Sequence, residues 1–209
     1  MTELARGRRL IVRVDRMELS KNILRGLEGY GMFLERNPRA RGRVVHYALT
    51  YPSRRDLPEY QAYTAEVKHM ADAINERYRT RTWEPVMLEL RDNYPRALAA
   101  MAAADVLVVN PVWDGMNLVA KEGPAISRRD LVLILSRNAG AADDLGPGAL
   151  LVNPFDTAEL AEAIAAALEL PPDERAKRAA LLRDGAVALP PQEWFRKQRD
   201  DLSGHRSAD

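Results

Sequence analysis

The 209-residue sequence contains no cysteine, which excludes a disulfide framework and a thiolate metal site. It has three histidines, His46, His69 and His205, so far apart along the chain that a histidine-based metal centre is not expected. His46 lies within an apolar run and is expected to be a hydrogen-bonded strand residue rather than a ligand. The formal net charge is +1, so the charge balance gives no reason to expect binding to nucleic acid or to an anionic membrane.

The sequence also lacks any apolar run approaching the roughly 20 residues that a membrane-spanning helix needs. Residues 1–9 are charged and lead straight into a short apolar segment, without the longer apolar stretch of a signal peptide. These absences lead us to expect a cytoplasmic protein.

Short β-branched runs alternate with segments of helical periodicity along the whole chain. This alternation predicts a Rossmann-like α/β fold, a doubly wound parallel sheet with helices on both faces. The predicted strands are Leu10–Val14, Val44–Leu49, Val86–Leu90, Val106–Asn110, Leu131–Ser136 and Leu150–Asn153. The predicted helices are Asn22–Arg36, Pro58–Tyr78, Pro95–Ala104, Leu118–Ile126, Thr157–Leu168, Asp173–Gly185 and Gln192–Leu202.

Ligands of such sheets bind outside the carboxyl ends of the strands, so the segment after the first strand is a candidate site. A polar turn is expected there, with Arg16 and Lys21 on either side of it and Ser20 capping the helix that follows. Two cations beside a helix N-terminus favour a phosphate. The alternative is a solvated loop that carries two ordinary surface cations.

The segment after the fourth strand, Asp114–Glu122, is a second candidate. Gly115 would permit a conformation or a close approach that a Cβ would block, and Asp114 and Asn117 suit hydrogen bonds to hydroxyls. Glu122 could accept both hydroxyls of a ribose. The alternative is a simple turn and N-cap with Glu122 as a solvated helix residue. A tight turn of small residues, Ser136–Ala142, follows the fifth strand and is a weaker signal.

The nonapeptide DGMNLVAKE at Asp114–Glu122 resembles the donor-site signature of the trehalose-6-phosphate synthases, glycosyltransferase family 20. The resemblance extends from about Leu10 to Leu202 and includes further blocks in the same order. These blocks are Val14–Arg16 with Ser20–Lys21, Pro52–Arg54 with Tyr60, Asn93–Arg96, Ser136–Ala142 and Val152–Asp156.

The resemblance implies a role for each matching residue. Arg16 and Lys21 would bind the donor diphosphate, and with Asp114 they would be the catalytic residues. Arg54 would reach the phosphate of a sugar-phosphate acceptor. The donor, a UDP- or GDP-sugar, would be held without a metal or other cofactor. Its contacts would come from Arg16, Lys21, Tyr94, Arg96, Asp114, Gly115, Met116, Asn117, Leu118, Val119 and Glu122, with Tyr94 and Arg96 at the base and Glu122 at the ribose.

The family has two facing Rossmann-like domains, the GT-B architecture, and the resemblance matches the C-terminal one. Residues 1–189 are therefore expected to form the donor-binding domain and residues 190–209 a crossover helix with a frayed tail. We expect the isolated chain to lack transferase activity. Trp194 and Phe195 are expected to form an exposed patch that binds a second copy or an N-terminal domain; completion of the local core is the alternative.

Three positions depart from the family pattern: Asn22 replaces a glycine, Trp113 an arginine, and Tyr94–Pro95 a Phe-Asp pair. The Ser-Lys-Asn form also resembles pseudo-glycosyltransferases of the validoxylamine-phosphate-synthase type, which make a C–N bond between cyclitols. Two alternatives to a glycosyltransferase therefore stay open. One is an enzyme that makes a C–N bond between cyclitols, and the other is a non-catalytic nucleotide-sugar-binding module.

Overall fold

Six parallel strands form one sheet in the computed structural model, which describes Ala5, residues 7–188 and residues 190–203. The strands are β1 (Arg9–Met17), β2 (Val44–Pro52), β3 (Val86–Glu89), β4 (Val106–Val109), β5 (Val132–Ser136) and β6 (Leu150–Val152). The α-helices are α1 (Ile23–Arg36), α2 (Pro58–Tyr78), α3 (Tyr94–Ala103), α4 (Leu118–Ile126), α5 (Ala141–Leu145), α6 (Thr157–Glu169), α7 (Pro172–Val187) and α8 (Pro191–Leu202). Two 3-10 turns lie at Leu19–Lys21 and Pro38–Ala40.

The order of the strands across the sheet is β3-β2-β1-β4-β5-β6, and every neighbouring pair is parallel. The chain runs outward from β1 to β3, then returns to place β4 on the other side of β1. The order therefore reverses between β1 and β4, and the carboxyl ends of these two strands open the crevice in which such folds bind ligands. This topology confirms the predicted Rossmann-like doubly wound sheet.

Helices cover both faces of the sheet, and adjacent strand residues point alternately to these two faces. Ile11 belongs to a core shared with α1, α2 and α6, whereas Leu10 and Val12 belong to a second core shared with α3, α4 and α7. Burial on both faces explains why the strands read as nearly continuous apolar runs.

The fold differs from the sequence prediction at β1, at α5 and at His46. β1 continues to Met17, which pairs with Pro52, so Asp15 and Arg16 lie on a strand and not in the expected polar turn. The short helix α5 was not predicted. His46 is 1% exposed, and neither of its ring nitrogens has a hydrogen-bond partner among the described residues, so the expectation of a hydrogen-bonded histidine is wrong.

The last helix, α8, keeps its aromatic side chains in solvent. Trp194 is 44% exposed and Phe195 is 65% exposed, which confirms that they do not complete the local core. The predicted domain boundary at residue 189 lies outside the described residues, and so does the predicted frayed tail, Ser203–Asp209, apart from Ser203. In the part of the chain that the structure describes, no helix combines the length and apolar character needed to cross a membrane.

Candidate functional site

The loops that follow β1 and β4 meet at the crevice between these strands. Lys21 Nζ lies 2.5 Å from Asp114 Oδ2, and the two side chains are 14% and 17% exposed. The backbone N–H of Val112 also donates to the carbonyl oxygen of Ser20, at 2.9 Å. The fold thus joins two sequence motifs that lie 93 residues apart.

A cavity of about 390 Å³ opens between these loops. Both motifs contribute to its walls, so the structure brings together seven of the residues that the sequence analysis singled out. The lining residues are Val14, Asp15, Arg16, Lys21, Tyr51, Asp114, Met116, Asn117, Leu118 and Val119. Half of the Arg16 side chain is exposed, and its Nη1 lies 2.6 Å from Glu18 Oε1 at the rim.

Asn22 gives the first loop its sharp change of direction into α1. Its φ is 60°, a left-handed conformation that asparagine adopts more readily than most residues. Its side-chain Nδ2 donates to the carbonyl oxygens of Asn110 at 3.0 Å and Pro154 at 2.7 Å. Asn22 is the N-cap of α1 and makes no side-chain capping bond, whereas Ser20 lies inside the 3-10 turn. The prediction that Ser20 caps the helix is therefore wrong.

Asn117 organises the second loop. Its φ is 69°, and its Oδ1 accepts a hydrogen bond from the backbone N–H of Ala120 at 3.1 Å, which makes it the N-cap of α4. Its Nδ2 donates to Asp114 Oδ2 at 3.0 Å, beside Lys21. The N-cap that the alternative of a simple turn predicted is therefore present. The same residue, Asn117, also orients the Asp114 carboxylate.

The glycine that this loop needs is Gly140 rather than Gly115. Gly115 does not have a positive φ, so its expected conformational role is wrong. A Cβ on it would meet no protein atom within 4 Å, and the other expectation, a close approach that a Cβ would block, stays a prediction for a bound ligand. A Cβ on Gly140 would overlap the carbonyl oxygen of Gly115. Gly140 N also donates to the carbonyl of Asp114 at 2.9 Å, which packs the turn after β5 against the second motif.

Gly115 and four other predicted site residues do not line the cavity that holds Lys21. Arg96 lies in a separate cavity of about 420 Å³, where its Nε is 2.8 Å from Glu89 Oε2 and donates to the Tyr47 hydroxyl at 2.5 Å. Tyr94 is 60% exposed at the start of α3. Arg54 has a φ of 46°, and its guanidinium lies 5.6 Å from the centre of the Tyr60 ring. Glu122 is half-buried on α4.

A buried polar network under the first loop was missed by the sequence analysis. Arg13 is fully buried in β1, and its Nε and Nη1 donate to Asp15 Oδ2 at 2.8 Å and Asn110 Oδ1 at 2.6 Å. Its Nη2 donates to the backbone carbonyl of Lys21. The available signal was a charged residue in the middle of a β-branched run, which a buried strand tolerates only when the charge is paired.

Burial and neighbouring charges shift the pKa values of the two carboxyl groups of the crevice, Asp15 and Asp114, in opposite directions. Burial raises the pKa of Asp15 to about 6, although the cations of Arg13 and Lys21 oppose the rise. Partial burial also tends to raise the pKa of Asp114, but the hydrogen bond and charge of Lys21 and the hydrogen bond from Asn117 bring it below its ordinary value. Asp114 is therefore a carboxylate at neutral pH, ready to accept hydrogen bonds.

Among the described residues, no group of three or more histidine and acidic side chains is placed to hold a metal ion. The cations at the cavity are those of Arg16 and Lys21. The expectation that the site works without a metal stays a prediction.

The chain also has extensive similarity to known proteins. The model of glycosyltransferase family 20 matches residues 1–204. Trehalose-6-phosphate synthase of Sinorhizobium fredii is 38% identical over 94% of this chain and 43% of that protein. Alpha,alpha-trehalose-phosphate synthase [UDP-forming] 1 of Arabidopsis thaliana is 40% identical over 82% of this chain and 18% of that protein.

Solved structures agree with the sequence matches. A UDP-forming trehalose-phosphate synthase from Burkholderia xenovorans superposes with a TM-score of 0.91 at 35% identity, over 96% of this chain and 45% of that one. An E. coli structure bound with UDP-2-fluoro glucose has a TM-score of 0.91 at 31% identity, over 96% and 45% of the two chains. The chain spans less than half the length of the relatives it matches. By the family model and these relatives, it belongs to glycosyltransferase family 20.

Proposed function

We propose that this chain is the donor-binding half of a retaining glycosyltransferase of the trehalose-6-phosphate synthase type. The complete enzyme would transfer a sugar from a nucleoside-diphosphate sugar to a sugar phosphate. The observation that carries the proposal is the single cavity in which Arg16 and Lys21 meet Asp114 and the start of α4. Support comes from the E. coli relative bound with UDP-2-fluoro glucose and a Burkholderia xenovorans relative in complex with glucose-6-phosphate.

The two cations of the cavity suit the departure of a nucleoside diphosphate. In the transfer, the bond between the anomeric carbon and the diphosphate oxygen breaks, and its electron pair stays on the leaving group. The acceptor hydroxyl oxygen bonds to the same carbon, and its proton passes to a diphosphate oxygen. Because negative charge grows on the leaving group, Arg16 and Lys21 stabilise the transition state more than the bound donor.

Asp114 is the residue we propose for the donor sugar. Its carboxylate is ionised and accepts hydrogen bonds from Lys21 and Asn117 on Oδ2. A carboxylate has about four acceptor positions, so capacity is left for sugar hydroxyls. Gly115, Met116, Leu118 and Val119 would complete the donor contacts.

The outer residues would contact the ends of the substrates. We propose Glu122 for the ribose, Tyr94 and Arg96 for the base, and Arg54 for the acceptor phosphate. Glu89 and Tyr47 hold Arg96 in one orientation, which suits a residue that recognises a planar base. The relatives named as UDP-forming favour a uridine donor, and GDP is the alternative to test.

Titration calorimetry with UDP and GDP in the presence of a chelator tests the proposal. We expect wild type to bind one of them without a metal, and Lys21→Ala to weaken binding about tenfold or more, because a charge-assisted hydrogen bond is lost. Lys121→Ala is the matched control. Lys121 also forms a lysine–aspartate pair of 2.5 Å, with Asp144, but does not line the cavity. Failure of wild type to bind either nucleotide at millimolar concentration would refute the proposal.

A further inference from the structure

Arg13 is a fully buried cation on β1, which lies between β2 and β4. Its guanidinium donates in three directions, to the Asp15 carboxylate, to the side-chain oxygen of Asn110 and to the backbone carbonyl of Lys21. Asn110 directly follows β4, and Lys21 ends the 3-10 turn after β1. One side chain therefore connects the two loops that form the cavity.

The packing around Arg13 leaves room for this arrangement. Gly26 of α1 lies against the guanidinium, and a Cβ at that position would overlap Arg13 Nη1. The first helix can lie this close to β1 only because residue 26 is a glycine. The positions of α1 and Arg13 therefore depend on each other.

Stability alone is a weak reason for such a residue. Burying an ion pair costs so much desolvation that replacing it with apolar side chains is often neutral or stabilising. Arg175 provides a comparison within the same chain. It is also buried, but its guanidinium donates to the carbonyls of Ala167 and Asp105, away from the cavity. Arg13 differs because its partners are the site loops.

We infer that Arg13 is a positioning residue for donor binding. By holding the Lys21 carbonyl below the turn and Asn110 at the end of β4, it fixes the loop geometry that leaves Lys21 Nζ 2.5 Å from Asp114 Oδ2. Arg13 lines no part of the cavity and acts through Lys21. The inference rests on the proposed binding of a nucleoside diphosphate.

The test compares Arg13→Met with Arg175→Met in the full chain. Melting temperatures report the stability loss, calorimetry with UDP and GDP reports affinity, and hydrogen exchange without ligand reports the order of residues 18–23. We expect Arg13→Met to weaken nucleotide binding about tenfold or more and to speed amide exchange at residues 18–23. Arg175→Met should lower the melting temperature by a similar amount but change neither nucleotide affinity nor amide exchange at residues 18–23.

Gly26→Ala disturbs the same contact with Arg13 still present, so it keeps the inference testable if Arg13→Met folds poorly. Gly26→Ala pushes a methyl group against Arg13 Nη1, so it should loosen residues 18–23 in the wild-type background. In an Arg13→Met background, Gly26→Ala should speed amide exchange at residues 18–23 much less, because the guanidinium that the methyl group displaces is gone. Unchanged nucleotide affinity and unchanged amide exchange in Gly26→Ala alone, or additive effects of the two changes, would overturn the inference.

The outcomes also separate this inference from the proposed function. If wild type binds neither nucleotide, the proposed function fails, and donor positioning fails with it, whatever the exchange data show. If wild type binds and Arg13→Met binds equally well, or Arg175→Met loses as much affinity, the inference alone is wrong.

Discussion

His46→Leu should make the protein less sensitive to acid. His46 is 1% exposed on β2, its ring centre lies 5.0 Å from that of Tyr30, and neither ring nitrogen has a partner among the described residues. Burial, with a smaller contribution from the Arg13 cation, lowers the pKa of His46 from 6.5 to about 3. The folded state therefore holds a neutral imidazole where the unfolded chain binds a proton.

The sign and size of the effect follow from this difference. Because the folded pKa is depressed, the unfolded chain binds more protons between about pH 6.5 and pH 3, and the free energy of unfolding falls as the pH falls through that window. At about pH 5.5 the unfolded histidine is about ten to one protonated, so His46 costs about 1.4 kcal/mol of stability, rising to about 2.7 kcal/mol at about pH 4.5. Leucine removes this dependence.

Urea unfolding followed by circular dichroism at about pH 8, 5.5 and 4.5 measures the effect. The quantity to compare is the change in the free energy of unfolding with pH, because the packing cost of leucine is the same at every pH. His69→Leu is the matched control, since His69 is exposed on α2 and loses little contact with water on folding. Parallel curves for wild type and His46→Leu would contradict the reasoning.

Three further predictions concern the site and the last helix. Asp114→Asn should leave nucleoside-diphosphate affinity nearly intact and weaken binding of the sugar-bearing donor; equal losses in calorimetry would contradict its assignment to the sugar. Asn22→Ala should unfold at a lower temperature than Asn22→Gly, because alanine at φ 60° adds about 1 kcal/mol of strain to the lost hydrogen bonds. Wild type should self-associate in sedimentation, and Trp194→Ser with Phe195→Ser should not; a strictly monomeric wild type would refute this.

The fold could be predicted from the sequence because the four central strands, β1, β2, β4 and β5, are buried on both faces. Val106–Val109 is apolar throughout, Val132–Ser136 is apolar up to its final serine, and such runs are separated by helices with clear periodicity. Helices α2 and α4 begin and end at the predicted residues, since Pro58 starts the first and Asn117 caps the second. In these places the residues at the helix ends were sufficient to predict where each helix begins and ends.

The buried network could not be predicted, because its partners are distant in sequence. Arg13 and Asn110 lie 97 residues apart, and neither residue alone indicates the other. The same reason explains the end of β1. Asp15 and Arg16 resemble turn residues, yet they pair with Thr50 and Tyr51 of β2, and this pairing exists only in the folded sheet.

The asparagine at position 22 shows how a departure from the family pattern can preserve the path of the chain. Both glycine and asparagine can adopt the left-handed φ that turns the chain into α1. A glycine would leave the carbonyls of Asn110 and Pro154 without the donor that Asn22 supplies. Asn22 therefore ties the first loop to the ends of β4 and β6, while Arg13 ties it from below. The departure changes how the loop is held and keeps Lys21 beside Asp114.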